Sequence, residues 1–175
     1  NEQLRRDNEL LKFDLNASHE MEEENKRLKD LLSFKQEAPF KVIAARVIAR
    51  SPDSWSSTVV LDKGKRQGIS RGMAVITYLG LVGRVIEADQ STSKVLLIND
   101  PSLGVSAIIQ RSRQEGLVSG TLGNYLIMRY LPEQSNVEVN DIAITSGLSQ
   151  EYPKGILIGT VADIVLVSQG YGIEG

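Results

Sequence analysis

The chain has 175 residues, enough for one or two domains with a buried core, so small disulfide-dependent scaffolds are excluded. It has no cysteine and one histidine, His19, which excludes disulfides, thiol catalysis and zinc–thiolate sites, and no cofactor or metal is expected. A net charge of -2 argues against nucleic acid as a partner.

Residues 1–37 are predicted to form one long helix that acts as a coiled-coil dimerisation unit, followed by a β-rich region over residues 38–175. The helical segment contains seven Lys or Arg and ten Asp or Glu, and neither glycine nor proline. Pro39 disfavours helical geometry at the residue before it, so the helix is expected to end near Ser33 to Glu37. The chain opens at Asn1 without a methionine or a signal-peptide pattern, so we expect an excised fragment, with any anchor or targeting segment lying upstream.

Sparse apolar residues in this helix recur at heptad spacing and predict a narrow seam. An asparagine followed by leucine at plus three and plus seven occurs twice, at Asn8 and at Asn25. The two sets are 17 positions apart, so a three-residue interruption of the heptads is expected around Ser18 to Met21. Asparagine at heptad position a favours a parallel homodimer, and the alternative is a solvated single helix held by charge pairs such as Glu22 with Lys26. The predicted dimer interface is Leu4, Asn8, Leu11, Leu15, Met21, Asn25, Leu28 and Leu32.

From Phe40 onward, short β-branched runs separated by glycine predict an all-β region. The number of runs exceeds one small barrel, and no segment between them has the pattern of a crossover helix. The predicted fold class is therefore mainly β, with two small β-barrel subdomains after the long N-terminal coiled-coil helix. A turn at Asn99 to Pro101 lies near the middle of the region. The predicted strands are 41–50, 57–62, 73–77, 80–88, 94–98, 105–110, 116–119, 126–131, 142–145 and 158–167.

Candidate catalytic patterns in the sequence lack the context that their chemistry needs, so no enzyme activity is expected. Ser91 and Lys94 have the spacing of the nucleophile and base of penicillin-recognising enzymes, but they lie between two predicted strands and not on a helix. The glycine pair in Gly80 to Gly83 predicts a β-bulge or a tight corner, because no helix follows it as a phosphate loop requires. Four cations between Lys63 and Arg71 could face anionic lipid or polymer, and a solvated loop is the simpler interpretation.

Eight segments, taken in order, resemble the extracytoplasmic region of the MreC family of rod shape-determining proteins. They cover most of the chain, and each alone is a weak signal. The segments are ENKRLKDLL at 24–32, ARSPDSW at 49–55, LDKGKRQGI at 61–69, GLVGRV at 80–85, INDP at 98–101, TSGL at 145–148, YPKG at 152–155 and IGTV at 158–161.

This resemblance implies a non-enzymatic scaffold of the bacterial cell-elongation and peptidoglycan-synthesis machinery. It implies a place on the extracytoplasmic face of the cytoplasmic membrane, a transmembrane anchor upstream, dimers or longer assemblies, and links to MreD, RodA, a class B penicillin-binding transpeptidase and the MreB filament. Glycines of the matched motifs are expected to fix turns. The motif positions are Trp55, Gly64, Gly68, Gly83, Gly147, Pro153, Gly155 and Gly159.

A membrane-fusion adaptor of a transporter is the alternative function, because such adaptors also join helical coils to β-domains. Adaptors usually carry a helical hairpin flanked by β-structure on both sides. No second, returning helix is predicted in this sequence, which disfavours the alternative.

Overall fold

The computed structural model describes residues 2–37, 40–51, 57–121, 123, 125–132, 134–149 and 151–165. Contacts divide the chain into a helical unit, Asn1–Ala44, and a β unit, Ala45–Gly175. The division predicted between residues 37 and 38 stays a prediction, because residues 38–39 lie outside the described residues.

The helical unit is a single helix, α1, over Glu2–Glu37. Its 36 residues rise about 54 Å at roughly 1.5 Å per residue, and it ends within the predicted range. Every side chain described in α1 is exposed, and strong helix formers dominate its sequence. Glu24 and Arg27 form an ion pair of 3.5 Å, whereas the structure does not place Glu22 and Lys26 in the predicted pair. Within the described ranges, no helix is long and apolar enough to cross a bilayer, and no second helix returns beside α1.

The β unit consists of two five-stranded antiparallel sheets, each built from five consecutive strands, which confirms a mainly β fold of two β-subdomains. The first sheet has the order β1-β2-β5-β4-β3 and the second has the order β10-β9-β6-β7-β8. The residues that link them lie between Leu97 and Gly104, around the predicted turn. The strands are β1 (Val47–Arg50), β2 (Thr58–Leu61), β3 (Ala74–Thr77), β4 (Gly80–Ala88), β5 (Ser93–Leu97), β6 (Gly104–Ile109), β7 (Glu115–Gly120), β8 (Leu126–Arg129), β9 (Ile142–Thr145) and β10 (Leu157–Thr160).

Each sheet buries the alternate residues of its central strands, as expected when one face packs on a core. The buried apolar residues of the first sheet are Val59, Leu61, Leu81, Val85 and Val95. Those of the second sheet are Val105, Ala107, Ile108, Ile109, Val118 and Ala143, together with Leu103 just before β6.

Five strands are shorter than predicted: β2 and β3 lose two residues and one, and β1, β8 and β10 end for identifiable reasons. Strand β1 begins at Val47, which pairs with the last residue of β2. Arg46 extends this pairing only through its carbonyl oxygen, which accepts from the Asp62 N–H at 3.0 Å, and residues 41–45 have no ladder to join. Strand β10 ends at Thr160 opposite the first residue of β9, so the prediction to residue 167 was too long over residues 161–165, and residues 166–167 lie outside the described residues. Strand β8 ends before Tyr130, whose φ of 63° is left-handed and breaks the extended geometry.

The predicted bulge in the Gly80 to Gly83 segment is confirmed. Opposite β3, Gly83 pairs with Val75 and Leu81 pairs with Ile76, so β4 carries one extra residue between them. A second irregularity on the same strand faces β5 between Val85 and Glu87. Bulges increase local twist, and these two allow the nine-residue β4 to curve across the first sheet.

Candidate functional site

The apolar seam residues of α1 whose side chains the structure describes are uncovered. Leu11, Leu15, Met21, Leu28 and Leu32 are all exposed within the chain. Asn25 is exposed as well, while the side chains of Leu4 and Asn8 lie outside the described residues. Scattered exposed leucines are ordinary on a protein surface, but a row at heptad spacing is the geometry that a partner helix covers.

A shallow depression on α1 has the form of a hole for a side chain of a partner helix. Ser18, Met21, Glu22 and Asn25 line it, at positions i, i+3, i+4 and i+7, together with Lys26 and Lys29. Four residues at this spacing are the set that receives a knob in a coiled coil. The depression lies where the heptads are predicted to be interrupted, so the helix surface there still offers a receptor for packing.

Two exposed apolar residues of α1 lie outside the predicted seam, because the heptad pattern does not include their positions. Leu10 and Phe13 follow Asn8 by two and five positions, which places them at heptad positions c and f when Asn8 is at a. Both are exposed, and Leu10 is as exposed as its neighbour Leu11, at 63% against 62%. The two adjacent leucines are therefore equally exposed but lie on different faces of the helix.

The glycines at residues 64 and 68 shape a tight turn after β2. A Cβ at Gly64 would lie 2.4 Å from the Asp89 carbonyl oxygen, so the backbone approaches too closely for any other residue. Gly68 has a φ of 87° and closes the 3₁₀ turn formed by Lys65–Gln67. This turn docks on residues 89–90, since the backbone N–H of Lys65 donates to Asp89 O at 2.8 Å.

Gly83 lies within β4 and not in a turn. A Cβ at this position would lie 2.1 Å from the Leu96 carbonyl oxygen on the neighbouring strand β5. Gly159 also lies within a strand, β10, but a Cβ there would meet nothing within 4 Å. The two motif glycines therefore differ, because only Gly83 is required by a close approach of backbone to backbone.

A loop over residues 146–156, between β9 and β10, is anchored by the fully buried Thr145. The Thr145 hydroxyl donates to Pro153 O at 2.6 Å and accepts from the backbone N–H of Ile156 at 2.9 Å. Backbone hydrogen bonds from Gly155 N to Thr145 O and from Thr145 N to Ile156 O complete the anchor. One threonine thus fastens both ends of the motif at 152–155 to the strand that precedes the loop.

The remaining motif positions of this loop set its backbone. Gly147 has a φ of 74°, and a Cβ there would lie 2.8 Å from the Lys154 Cβ. Gly155 has a φ of 88°, and a Cβ there would meet nothing within 4 Å. Its left-handed backbone, and not close packing, therefore explains the glycine. Pro153 is exposed and contributes the carbonyl that Thr145 binds. Trp55 lies outside the described residues.

The anchored loop reaches back to the first sheet. Glu151 forms an ion pair of 2.5 Å with Arg84 of β4. Gly80, at a φ of 129°, packs so closely on β10 that a Cβ would lie 2.4 Å from Leu157 O. Tyr152 is buried beside this ion pair, and its burial raises the pKa of its hydroxyl, which the positive charge of Arg84 partly opposes. The sequence gives no signal that joins residue 84 to residue 151, because the contact depends on how two sheets meet.

Exposed apolar residues border this meeting point of the sheets. We call Tyr78, Leu79 and Leu157 the junction surface. Tyr78 and Leu79 form the β3–β4 turn directly before Gly80, and Leu157 is the residue on which Gly80 packs. All three are exposed. A rigid, partly aromatic surface of this kind suits contact with another protein.

Two buried carboxylates hold the connections around the sheets. Asp100 accepts hydrogen bonds from the Ser102 backbone N–H at 2.9 Å, the Ser102 hydroxyl at 2.5 Å and the Ser57 backbone N–H at 3.1 Å. Burial raises the pKa of Asp100, but these hydrogen bonds outweigh it and the pKa lies below its usual value. Asp141 binds Arg111 through both carboxylate oxygens, at 2.7 and 2.9 Å, and this contact lowers its pKa.

The catalytic pattern considered in the sequence is not assembled. Ser91 lies in the turn between β4 and β5, whereas Lys94 on β5 pairs with Glu87 at 3.7 Å. In the part of the chain that the structure describes, no group of three or more His, Asp or Glu side chains is placed to hold a metal ion.

Comparison with known proteins gives a consistent match. The family model described as "Rod shape-determining protein MreC, barrel core" matches residues 47–172. The cell shape-determining protein MreC of Cereibacter sphaeroides is 31% identical over 162 residues, which cover 93% of this chain and 54% of that protein. The chain therefore spans about half the length of this relative.

Solved structures share the fold. The crystal structure of MreC from Pseudomonas aeruginosa superposes on this chain with a TM-score of 0.70. The sequences are 27% identical, and the alignment covers 74% of this chain and 84% of the Pseudomonas aeruginosa chain. A complex between a penicillin-binding protein and MreC from Helicobacter pylori contains a chain with a TM-score of 0.57 and 15% identity, covering 68% of this chain and 75% of that chain. At that identity the likeness is one of fold alone.

Proposed function

The chain belongs to the MreC family of rod shape-determining proteins, and on that premise we propose that it is a non-enzymatic scaffold of the bacterial cell-elongation machinery. The family match over residues 47–172 is the observation that carries the proposal. The exposed seam of α1 and the junction surface support it, because both are uncovered apolar surfaces of the kind that binds other proteins.

In this proposal, two copies associate in parallel through α1, and the β units bind cell-wall synthesis partners. A parallel coil places both N-termini on one side, as two membrane anchors upstream of the helix would require. The chain would then stand on the extracytoplasmic face of the cytoplasmic membrane. The heptad leucines and the depression beside Met21 and Asn25 support the coil.

A class B penicillin-binding transpeptidase is the proposed partner of the β unit, with MreD, RodA and the MreB filament as further members of the assembly. The Helicobacter pylori MreC chain that shares this fold was solved in complex with a penicillin-binding protein, which supports this choice. We assign the contact to the junction surface, because Gly80 fixes the Tyr78–Leu79 turn on β10 and so presents both side chains from a rigid base.

The test is the binding of this chain to the class B transpeptidase of the same organism, measured by biolayer interferometry. The double variant Tyr78→Ser, Leu79→Ser is expected to weaken binding by tenfold or more, as loss of central apolar contacts does. Tyr130→Ser is the matched control, because Tyr130 is an exposed tyrosine at the end of β8, away from the β3–β4 turn. No binding by the unmodified chain would contradict the partner, and equal binding by the double variant would contradict the surface.

A further inference from the structure

Cations gather at one end of the first sheet. Strands β1, β3 and β5 begin at this end, and β2 and β4 finish there, because neighbouring strands are antiparallel. Three carboxylates, Asp62, Glu87 and Asp89, lie among them. We call the six cations the basic end; they are Arg46, Lys63, Lys65, Arg66, Arg71 and Lys94.

The carboxylates neutralise only part of this charge. Asp62 pairs with Lys63 at 3.4 Å, and Glu87 pairs with Lys94 at 3.7 Å. Lys65, Arg66 and Arg71 are exposed, and none of them forms an ion pair within the described residues. Arg46 is exposed as well and forms no ion pair within the described residues, so the unpaired exposed charge lies on four side chains, three of them on the turns at 63–66 and 71.

The backbone that carries these side chains is fixed. The N–H groups of Lys65 and Arg66 donate to the carbonyl oxygens of Asp89 and Gln90, at 2.8 and 3.0 Å. Gly64 is buried against the same turn, and Gly72 donates from its N–H to Val85 O at 2.8 Å. The cations thus stand on rigid turns, and ordering these turns costs little further entropy when a ligand binds.

The rest of the β unit has the opposite charge. Residues 41–98 contain nine Lys or Arg and four Asp or Glu. Residues 99–175 contain four Lys or Arg and eight Asp or Glu. A field of this asymmetry orients the β unit towards a negatively charged partner with the first sheet leading.

We propose that the basic end binds the anionic headgroups of a phospholipid bilayer. The cations stand on separate turns, at 63–66 and at 71, so they suit an extended array of phosphates better than one small ligand that needs convergent donors. Met73 and Val47, both exposed, lie beside the cations and can enter the headgroup region, which favours a membrane over a soluble polyanion.

The experiment is flotation of the full 175-residue chain with vesicles of phosphatidylcholine, with and without 30% phosphatidylglycerol, at about 0.05 and 0.5 M salt. The test variant is Lys65→Gln, Arg66→Gln, Arg71→Gln. The matched control, Arg113→Gln, Arg129→Gln, Lys154→Gln, removes the same charge from exposed positions of the second sheet and its connections. Each cation near an anionic surface raises the partition coefficient roughly fivefold. The test variant, which lacks three cations, should therefore have a partition coefficient on the order of 100-fold lower at low salt.

Salt-sensitive binding to the anionic vesicles that the test variant loses and the control keeps is the expected result. An equal loss in both variants overturns the proposal, because only net charge would matter. Failure of the unmodified chain to float also overturns it, as does binding to soluble polyphosphate without binding to vesicles. Circular dichroism of each variant shows that it is folded, and Arg66→Gln alone, with an expected loss of about fivefold, replaces the triple variant if that does not fold.

Discussion

Replacing Leu11 by alanine should dissociate the proposed dimer, whereas replacing Leu10 should leave it intact. The two leucines are neighbours on α1 with exposures of 62% and 63%, so they contribute equally little to the folding of a single chain. They differ in heptad position, since Leu11 is at d in the seam and Leu10 is at c. Alanine favours the helix at either site, so helix propensity does not separate the two variants.

The size of the effect follows from the apolar area that only a partner helix can cover. Removing most of a leucine side chain at 62% exposure forfeits about 1 to 1.5 kcal/mol for each copy, or about 2 to 3 kcal/mol for each dimer. The dimer dissociation constant should therefore rise by roughly 25- to 150-fold for Leu11→Ala and by less than about threefold for Leu10→Ala.

Sedimentation equilibrium across a concentration range measures both constants, with thermal unfolding of the β unit as a control for folding. An equal rise of the dissociation constant in the two variants would refute the heptad assignment, because dimerisation would then not depend on which face of the helix carries the leucine. A monomeric unmodified chain at all concentrations would show that the isolated seam does not hold two copies together.

The remaining predictions concern the β unit. Gly83→Ala should lower the free energy of unfolding in urea by more than about 2 kcal/mol, because its Cβ would lie 2.1 Å from Leu96 O, whereas Gly159→Ala should change it by less than about 0.5 kcal/mol; equal effects would contradict the close-approach argument. Thr145→Val should cost about 1 to 3 kcal/mol in thermal unfolding, since it leaves the buried Ile156 N–H and the part-buried Pro153 carbonyl without their partner, and Thr145→Ser should restore most of that loss. Because the pKa of Asp100 is lowered from 3.8, its contribution to stability is complete above pH 3.8 and falls as the pH drops towards the lowered value. Asp100→Asn should flatten that part of the acid-unfolding curve, and an unchanged curve would exclude Asp100 from acid sensitivity.

Much of the fold could be predicted because the patterns that specify it are local. The end of α1 follows from the position of Pro39. Strands β4 and β9 begin and end at the predicted residues, because glycines and turn residues delimit them. Strand β1 was overestimated because Lys41 to Arg46 has the composition of a strand, yet the neighbouring strand that it would pair with has already ended. Pairing is a property of two segments, which explains why composition alone fails there.

The candidate surfaces were predicted unevenly for the same reason. Heptad spacing predicts the seam from one segment, and the structure leaves the described side chains of that seam uncovered. The Arg84–Glu151 ion pair and the junction surface depend on contact between the two sheets. The residues in contact are about 70 positions apart in sequence, so no local periodicity predicts that they meet. The anchoring role of Thr145 was within reach, because the matched motif at 145–148 begins with it, but its partners lie in a second motif at 152–155.

The family resemblance is carried partly by residues that fix the backbone and partly by residues of the proposed binding surfaces. Gly64 and Gly83 stand where backbone approaches backbone, and Gly147 and Gly155 stand at left-handed positions, so these motif residues specify the frame. The residues offered to partners are divided: Leu11 and Tyr78 lie outside the matched motifs, whereas Leu28 of the seam and Lys65 of the basic end lie inside them. A match to the family therefore establishes that the frame is present, while the partner that each surface binds must be determined with surface variants that leave the frame unchanged.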